Sequence, residues 1–212
     1  MLANHYIVSG LLSIVLFILY KKSYDTRKLN KLLKALLFFN FSIFYSYLII
    51  TNTFNYKIHL PLHLCYLTEL AILFLLFFKK QFFYPLILLN SLGGGVTGFL
   101  NSNLSHDDML IEHIHLYTSH FNLLLFSLIL FKEKFSLSKI DVINSMTLNG
   151  LIMIVIVLIN EGLNSNYWFT KSKPPGANLT NVLPDWPLYL IVLIAIGILS
   201  YILTFKLYQR NN

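Results

Sequence analysis

The chain has 212 residues and a formal charge of +7, yet only 12% of its residues are charged and 56% are hydrophobic. An ordinary soluble domain carries roughly 25% charged residues, so a soluble globule is excluded. The sixteen Lys and Arg residues sit in short turns between apolar blocks and form no stripe, which argues against nucleic acid as a partner.

Charge-poor stretches lie near 5–20, 35–56, 59–78, 82–100, 113–131, 142–160 and 186–206. Each is close to the twenty or so residues an α-helix needs to cross about 30 Å of hydrocarbon. The predicted fold is an all-α polytopic bundle of seven transmembrane helices, one integral membrane domain over 1–212, with the cell membrane as its location. The first stretch has no small-residue cleavage site and its basic cluster follows the apolar block, so it reads as a span and not as a signal peptide. Alternate connections hold Lys21, Lys22, Arg27, Lys28, Lys31 and Lys34, then Lys79 and Lys80, then Lys132, Lys134 and Lys139, then Lys206 and Arg210. By the positive-inside rule this partition places the N-terminus outside and the C-terminus in the cytoplasm.

The third stretch is the first to carry chemistry. Pro61 suits the first turn of a helix, where its missing N–H is no loss. Cys65 and Glu69 are four residues apart and share a helical face, whereas His63 projects elsewhere if the segment is regular helix. A carboxylate in hydrocarbon costs roughly 2.5–3.5 kcal/mol unless it finds a partner. Glu69 is therefore expected either to tie helices together or to carry a proton. A lone cysteine is commonly a small apolar side chain, but a thiol near a histidine at one depth also suits nucleophilic catalysis.

The fourth stretch holds Asn90 and Ser91, then Gly93, Gly94, Gly95 and Gly98. Gly94 and Gly98 form a small-xxx-small pair that lets another helix or a lipid chain approach closely. In the fifth, HIHLYTSH, His113 and His120 are seven apart on one stripe, and His115 points elsewhere. With both helices running from the outer side, Cys65 and His120 reach similar depths, so a thiol could lose its proton to an imidazole across the helix pair. A weaker alternative is a zinc centre in which His113 and His115 combine with His106, Asp107, Asp108 or His120. The sixth stretch carries Asn144, Asn149 and Asn160, expected to bridge helices.

The connection 161–185 has room for structure. Pro174, Pro175 and Gly176 interrupt any helix there, and Tyr167, Trp168, Phe169 and Trp186 suit an anchor at headgroup level or, alternatively, a lid over a cavity. Asn103-Leu104-Ser105 and Asn178-Leu179-Thr180 match the glycosylation pattern.

Two separated strings carry a family likeness: LPLHLC at 60–65, and NYWFTKSKPPGANLTNVLPDWPLYL at 166–190. Together they resemble the YwaF-like bacterial integral membrane proteins, which share a family with eukaryotic transmembrane protein 164. The resemblance implies a multi-pass acyltransferase-like fold with a thiol nucleophile in the third helix and a histidine in a later one. Carried onto this chain, Cys65 takes the nucleophile role and His120 the base role, with His63 at a motif position of less definite role. The leading expectation is a lipid acyltransferase or hydrolase acting on phospholipid acyl esters, with Glu69, His113 and Asn90 as supporting polar groups and membrane lipids as partners. It calls for no metal or cofactor. A small proton-coupled transporter using Glu69, and a structural or sensory protein whose polar residues only join helices, are the competing classes.

Overall fold

A computed structural model of the chain describes residues 2–22, 25–78, 81–105, 108–175 and 178–209. Lys79, Lys80, His106, Asp107, Gly176 and Arg210, which entered the reading above, lie outside the described residues.

Among the described residues seven α-helices follow one another: α1 Leu2–Lys21, α2 Thr26–Ile50, α3 Leu64–Phe78, α4 Tyr84–Leu100, α5 Leu110–Lys132, α6 Lys139–Leu163 and α7 Leu188–Tyr208. Local sequence explains their ends. Ser138 and Asp141 close a capping box at the start of α6, with Asp141 N–H donating to Ser138 Oγ (3.2 Å) and Ser138 N–H to Asp141 Oδ2 (2.8 Å). The Glu112 carboxylate accepts from Met109 N–H (2.8 Å) at the start of α5. Pro85 stands in the first turn of α4, where no N–H is needed.

Six of the helices are long and apolar enough to cross a membrane; α3 is a shorter apolar helix. It has 15 residues, about 22 Å at 1.5 Å per residue, less than the hydrocarbon thickness. The chain ahead of it, expected to be helical from residue 59, is a series of turns. His59 explains why. Its Nδ1 accepts from Asn55 N–H (2.9 Å), so Nε2 carries the proton and donates to Glu112 (3.1 Å), while its carbonyl accepts from Tyr45 OH (2.7 Å). Pro61 belongs to these turns and not to the first turn of α3, correcting the sequence expectation.

α5 is the central helix. It buries twelve of its side chains and packs against α1, α2, α3 and α4. α4 lies between α5 and the α6–α7 pair, which touch little else and expose most of their apolar surface. Where lipid replaces water as the solvent, apolar surface gives no preference for burial against protein, so close packing and hydrogen bonds must hold such a bundle. At one end, Lys132 Nζ donates to Tyr20 O (3.0 Å), Leu137 N–H to Tyr208 O (3.0 Å), and Lys34 lies over the Phe77 ring (5.0 Å). This is the basic end.

The opposite end is capped by residues 164–175 and 178–187, and the fully buried Asn160 organises that cap. Its Nδ2 donates to Tyr167 O and Thr170 Oγ1, and its Oδ1 accepts from Tyr167 N–H and Ser165 OH, each at 2.8 Å. Tyr167 OH donates to Tyr56 O (2.7 Å) and accepts from Leu60 N–H (3.0 Å); Trp168 Nε1 donates to Leu62 O (2.7 Å); Trp186 Nε1 donates to Thr170 O (3.1 Å). Tyr189 OH donates to Phe169 O. The segment is thus a folded lid tied to the turns before α3. Of its aromatics, Trp186, 61% exposed, keeps the character of an interfacial anchor. Trp168 and Phe169 are both left-handed (φ 57° and 54°), a conformation that is an outlier for bulky residues and that these contacts must sustain.

Candidate functional site

The glycines of α4 serve three neighbours. A Cβ at Gly93 would collide with Ser200 of α7, one at Gly95 with Leu124 of α5 (2.6 Å), and one at Gly98 with the His120 ring. At Gly94 it would stand 3.4 Å from Cys65 Sγ. The sequence expectation of a close-approach face therefore holds, and the groups brought to it are the thiol and the imidazole.

Both line one cavity of about 520 Å³, within the usual range for small-molecule sites. α3, α4 and α5 form one wall, α6 and α7 the other, and Trp168, Phe169 and Thr170 of the lid roof it. Because α3 begins at Leu64, Cys65 stands in its first turn. The N–H groups of Leu64, Cys65 and Tyr66 donate to no backbone carbonyl among the described residues, as expected of a helix start; the first such bond is Leu67 N–H to His63 O (2.9 Å).

His120 is 6% exposed. Its Nδ1 lies 2.8 Å from Leu116 O. A carbonyl only accepts, so Nδ1 carries the proton and Nε2 holds a lone pair. Nε2 makes no hydrogen bond among the described residues and sits against Gly98. Cys65 and His120 do not hydrogen-bond to each other. They stand over glycines one helical turn apart, where Cβ positions are about 5–6 Å from each other, and both side chains line the same cavity.

His63 also lines the cavity, its ring held among Tyr167 (5.2 Å between centroids) and Phe169 (5.1 Å) of the lid. Asn90 is one turn from Gly94 toward the basic end and pairs reciprocally with Asn149 of α6 (2.7 and 3.3 Å). Tyr201 OH of α7 donates to Asn90 Oδ1 and accepts from Asn149 Nδ2. Asn149 bridges helices as expected, whereas Asn160 bridges a helix to the lid and Asn144 is exposed with no partner among the described residues.

Two candidates lie elsewhere. Glu69 is fully buried but does not line the cavity. Asn122 Nδ2 of α5 donates to Glu69 Oε1 (2.8 Å), and beside it Asn40 of α2 donates to Ser119 Oγ (3.0 Å) and meets His115 Nδ1 (3.0 Å). The helical stripe shared with Cys65 leaves the cavity at Glu69 because α5 covers it. His113, seven residues or about 10 Å nearer the lid end than His120, is half-buried and also off the cavity.

The zinc arrangement finds no support in the donors that are described. His115 stacks on Phe44 (3.9 Å between centroids) and His120 is turned to its own backbone, so they do not converge with His113. No group of three His, Cys, Asp or Glu side chains is placed to share a metal ion among the described residues. Asn178 is buried with Nδ2 donating to Pro175 O (2.9 Å), so it is not presented for glycosylation. Tyr201 was not anticipated; the signal was a phenol in the otherwise aliphatic middle of α7.

Fold and site define an all-helical multi-pass membrane protein with a largely apolar cavity inside its bundle that a few polar side chains reach. The sequence profile of the TMEM164 family matches residues 1–205. The chain belongs to that family. No curated protein and no solved structure was found to match it.

Proposed function

We propose that the chain is a membrane-embedded lipid acyltransferase or hydrolase in which Cys65 is the nucleophile and His120 its base. The observation that carries this reading is a thiol and an imidazole, from different helices, lining one cavity beside the glycines of α4, with the imidazole Nε2 making no hydrogen bond among the described residues. A phospholipid acyl ester occupies the cavity beside them. As Sγ attacks the ester carbon, its proton passes to His120 Nε2, and the first-turn N–H groups of α3 receive the developing oxyanion. Collapse breaks the ester C–O bond, and Nε2 returns the proton to the departing lysolipid oxygen. The thioester carbon on Cys65 is then attacked by an alcohol or by water, Nε2 accepting the attacking group's proton; collapse breaks the C–S bond, releases the new ester or the acid, and Nε2 returns the proton to Sγ. Family membership is compatible with this chemistry.

In the same reading α3 and the turns before it together complete a seventh span, and the chain sits in the cell membrane as one of the YwaF-like bacterial members, on the strength of LPLHLC. The basic end faces the cytoplasm by the positive-inside rule and the lid faces outside.

The test is labelling by an acyl-ester probe and turnover of phospholipid in vesicles by the full chain. Cys65→Ala is expected to abolish both, and His120→Ala to slow them by about 10²–10⁴-fold. Undiminished activity in both variants overturns the assignment.

A further inference from the structure

We infer that the acyl chain of a membrane lipid enters the cavity sideways, through a gap between α6 and α7 bordered by Gly150 and Gly197. Both glycines line the cavity and both are exposed. Glycine in a membrane helix ordinarily permits close helix contact, as Gly93, Gly95 and Gly98 do on α4. Gly150 and Gly197 do the reverse, since a Cβ at either would meet nothing within 4 Å. They leave an opening where side chains would otherwise close one.

The depths agree. Gly150 is eleven residues from the basic-end start of α6, and Gly197 eleven from the basic-end terminus of α7, each about 16 Å along its helix. Gly94, which faces Cys65, is ten residues from the basic-end start of α4, about 15 Å. The gap therefore opens at mid-bilayer, level with the thiol, where the surrounding medium is hydrocarbon. Met146 and Met153, one turn either side of Gly150, are pliable side chains suited to a flexible chain. At the inner end, the ring of the buried His120, whose Nε2 makes no hydrogen bond among the described residues, lines the same space. Gly10 and Gly162 also have open space beyond them but do not border the cavity, which makes them controls.

The inference rests on the lipid-ester reading for its occupant, but its test is binding and not turnover. Full-length Cys65→Ala protein in phosphatidylcholine vesicles is irradiated with a phosphatidylcholine bearing a diazirine midway along one acyl chain. Crosslinks are expected on peptides containing 146–153 and 194–201. Gly150→Phe with Gly197→Phe is expected to lower them by about tenfold, the equivalent of about 1.4 kcal/mol, with Gly162→Phe unchanged. If the double variant does not run as a single species on size exclusion, Gly150→Leu alone is used and a smaller fall is expected. Crosslinking as strong in the plugged variant as in its parent, or confined to outward-facing residues of other helices, overturns the portal. Failure of the catalytic reading shows separately, as lipid turnover by Cys65→Ala with the crosslinks intact.

Discussion

Gly98→Ala isolates the contact on which the site depends. The added methyl would overlap Cγ, Cδ2 and Nε2 of the His120 ring. The ring cannot simply turn away, because Nδ1 is bonded to Leu116 O at 2.8 Å. Relief requires breaking that bond, worth about 0.5–1.5 kcal/mol, or parting α4 from α5. Overpacking of this kind costs about 1–3 kcal/mol, and in a chain of this size each kcal/mol moves the midpoint by about 2–4 °C. Gly94→Ala is the matched control, since its methyl would stand 3.4 Å from Cys65 Sγ and 3.5 Å from Leu123 Cδ1, ordinary contact distances. Both variants are heated in detergent and scored by the monodisperse fraction on size exclusion, then tested for acyl-probe labelling in vesicles. Gly98→Ala is expected to melt several degrees lower and to lose labelling; Gly94→Ala is expected to keep its midpoint. Equal midpoints and equal labelling in the two would refute the reasoning, because the ring would then not be packed on Gly98.

Glu69→Gln preserves an oxygen for Asn122 Nδ2 and is expected to change thermal stability little, whereas Glu69→Leu strands the Asn122 amide and is expected to cost about 1–3 kcal/mol; flux or lipid turnover lost in Glu69→Gln at unchanged stability would instead mark a proton carrier. Asn160→Ala removes four hydrogen bonds that shape the lid. It is expected to expose the 165–175 segment to limited proteolysis while the helices persist, and unaltered protection would show the lid to be held elsewhere. Tyr201→Phe deletes the donor to Asn90 Oδ1, with an expected loss of about 0.5–1.5 kcal/mol in thermal unfolding and none in acyl-probe labelling.

Much of the bundle was legible because hydrocarbon thickness dictates block length: the extents of α1 and α4 to α7 follow their apolar runs closely, whereas α2, expected over 35–56, runs from Thr26 to Ile50, so that Arg27, Lys28, Lys31 and Lys34 belong to the helix and not to a connection. α3 was misread for an identifiable reason. IHLPLHLC is apolar enough for a span, and nothing local shows that His59 is committed to Asn55, Glu112 and Tyr45, which come from α2, its following turn and α5. Cys65, His120, His63 and Asn90, which line the cavity, stand out in the sequence because polar side chains are conspicuous in apolar runs. The same signal picked out Glu69 and His113, and could not separate cavity from interhelical cluster, since the distinction depends on how α5 is rotated against α3. The sequence alone favours an interfacial anchor over a lid, because the lid's closure is set by Asn160, Tyr167 and Trp168 bonding to backbone carbonyls and amides that carry no sequence signature.

The glycine face of α4 also has a mechanical consequence. α5 and α7 are locked to it at Gly95, Gly98 and Gly93 by contacts with no slack, while α6 borders the cavity with little holding its far side. The chamber thus has one stiff wall and one compliant edge, and bilayer tension or thickness would act on the compliant one. Chains of differing bend or girth would be accommodated by displacement of α6, with the thiol and imidazole left in register.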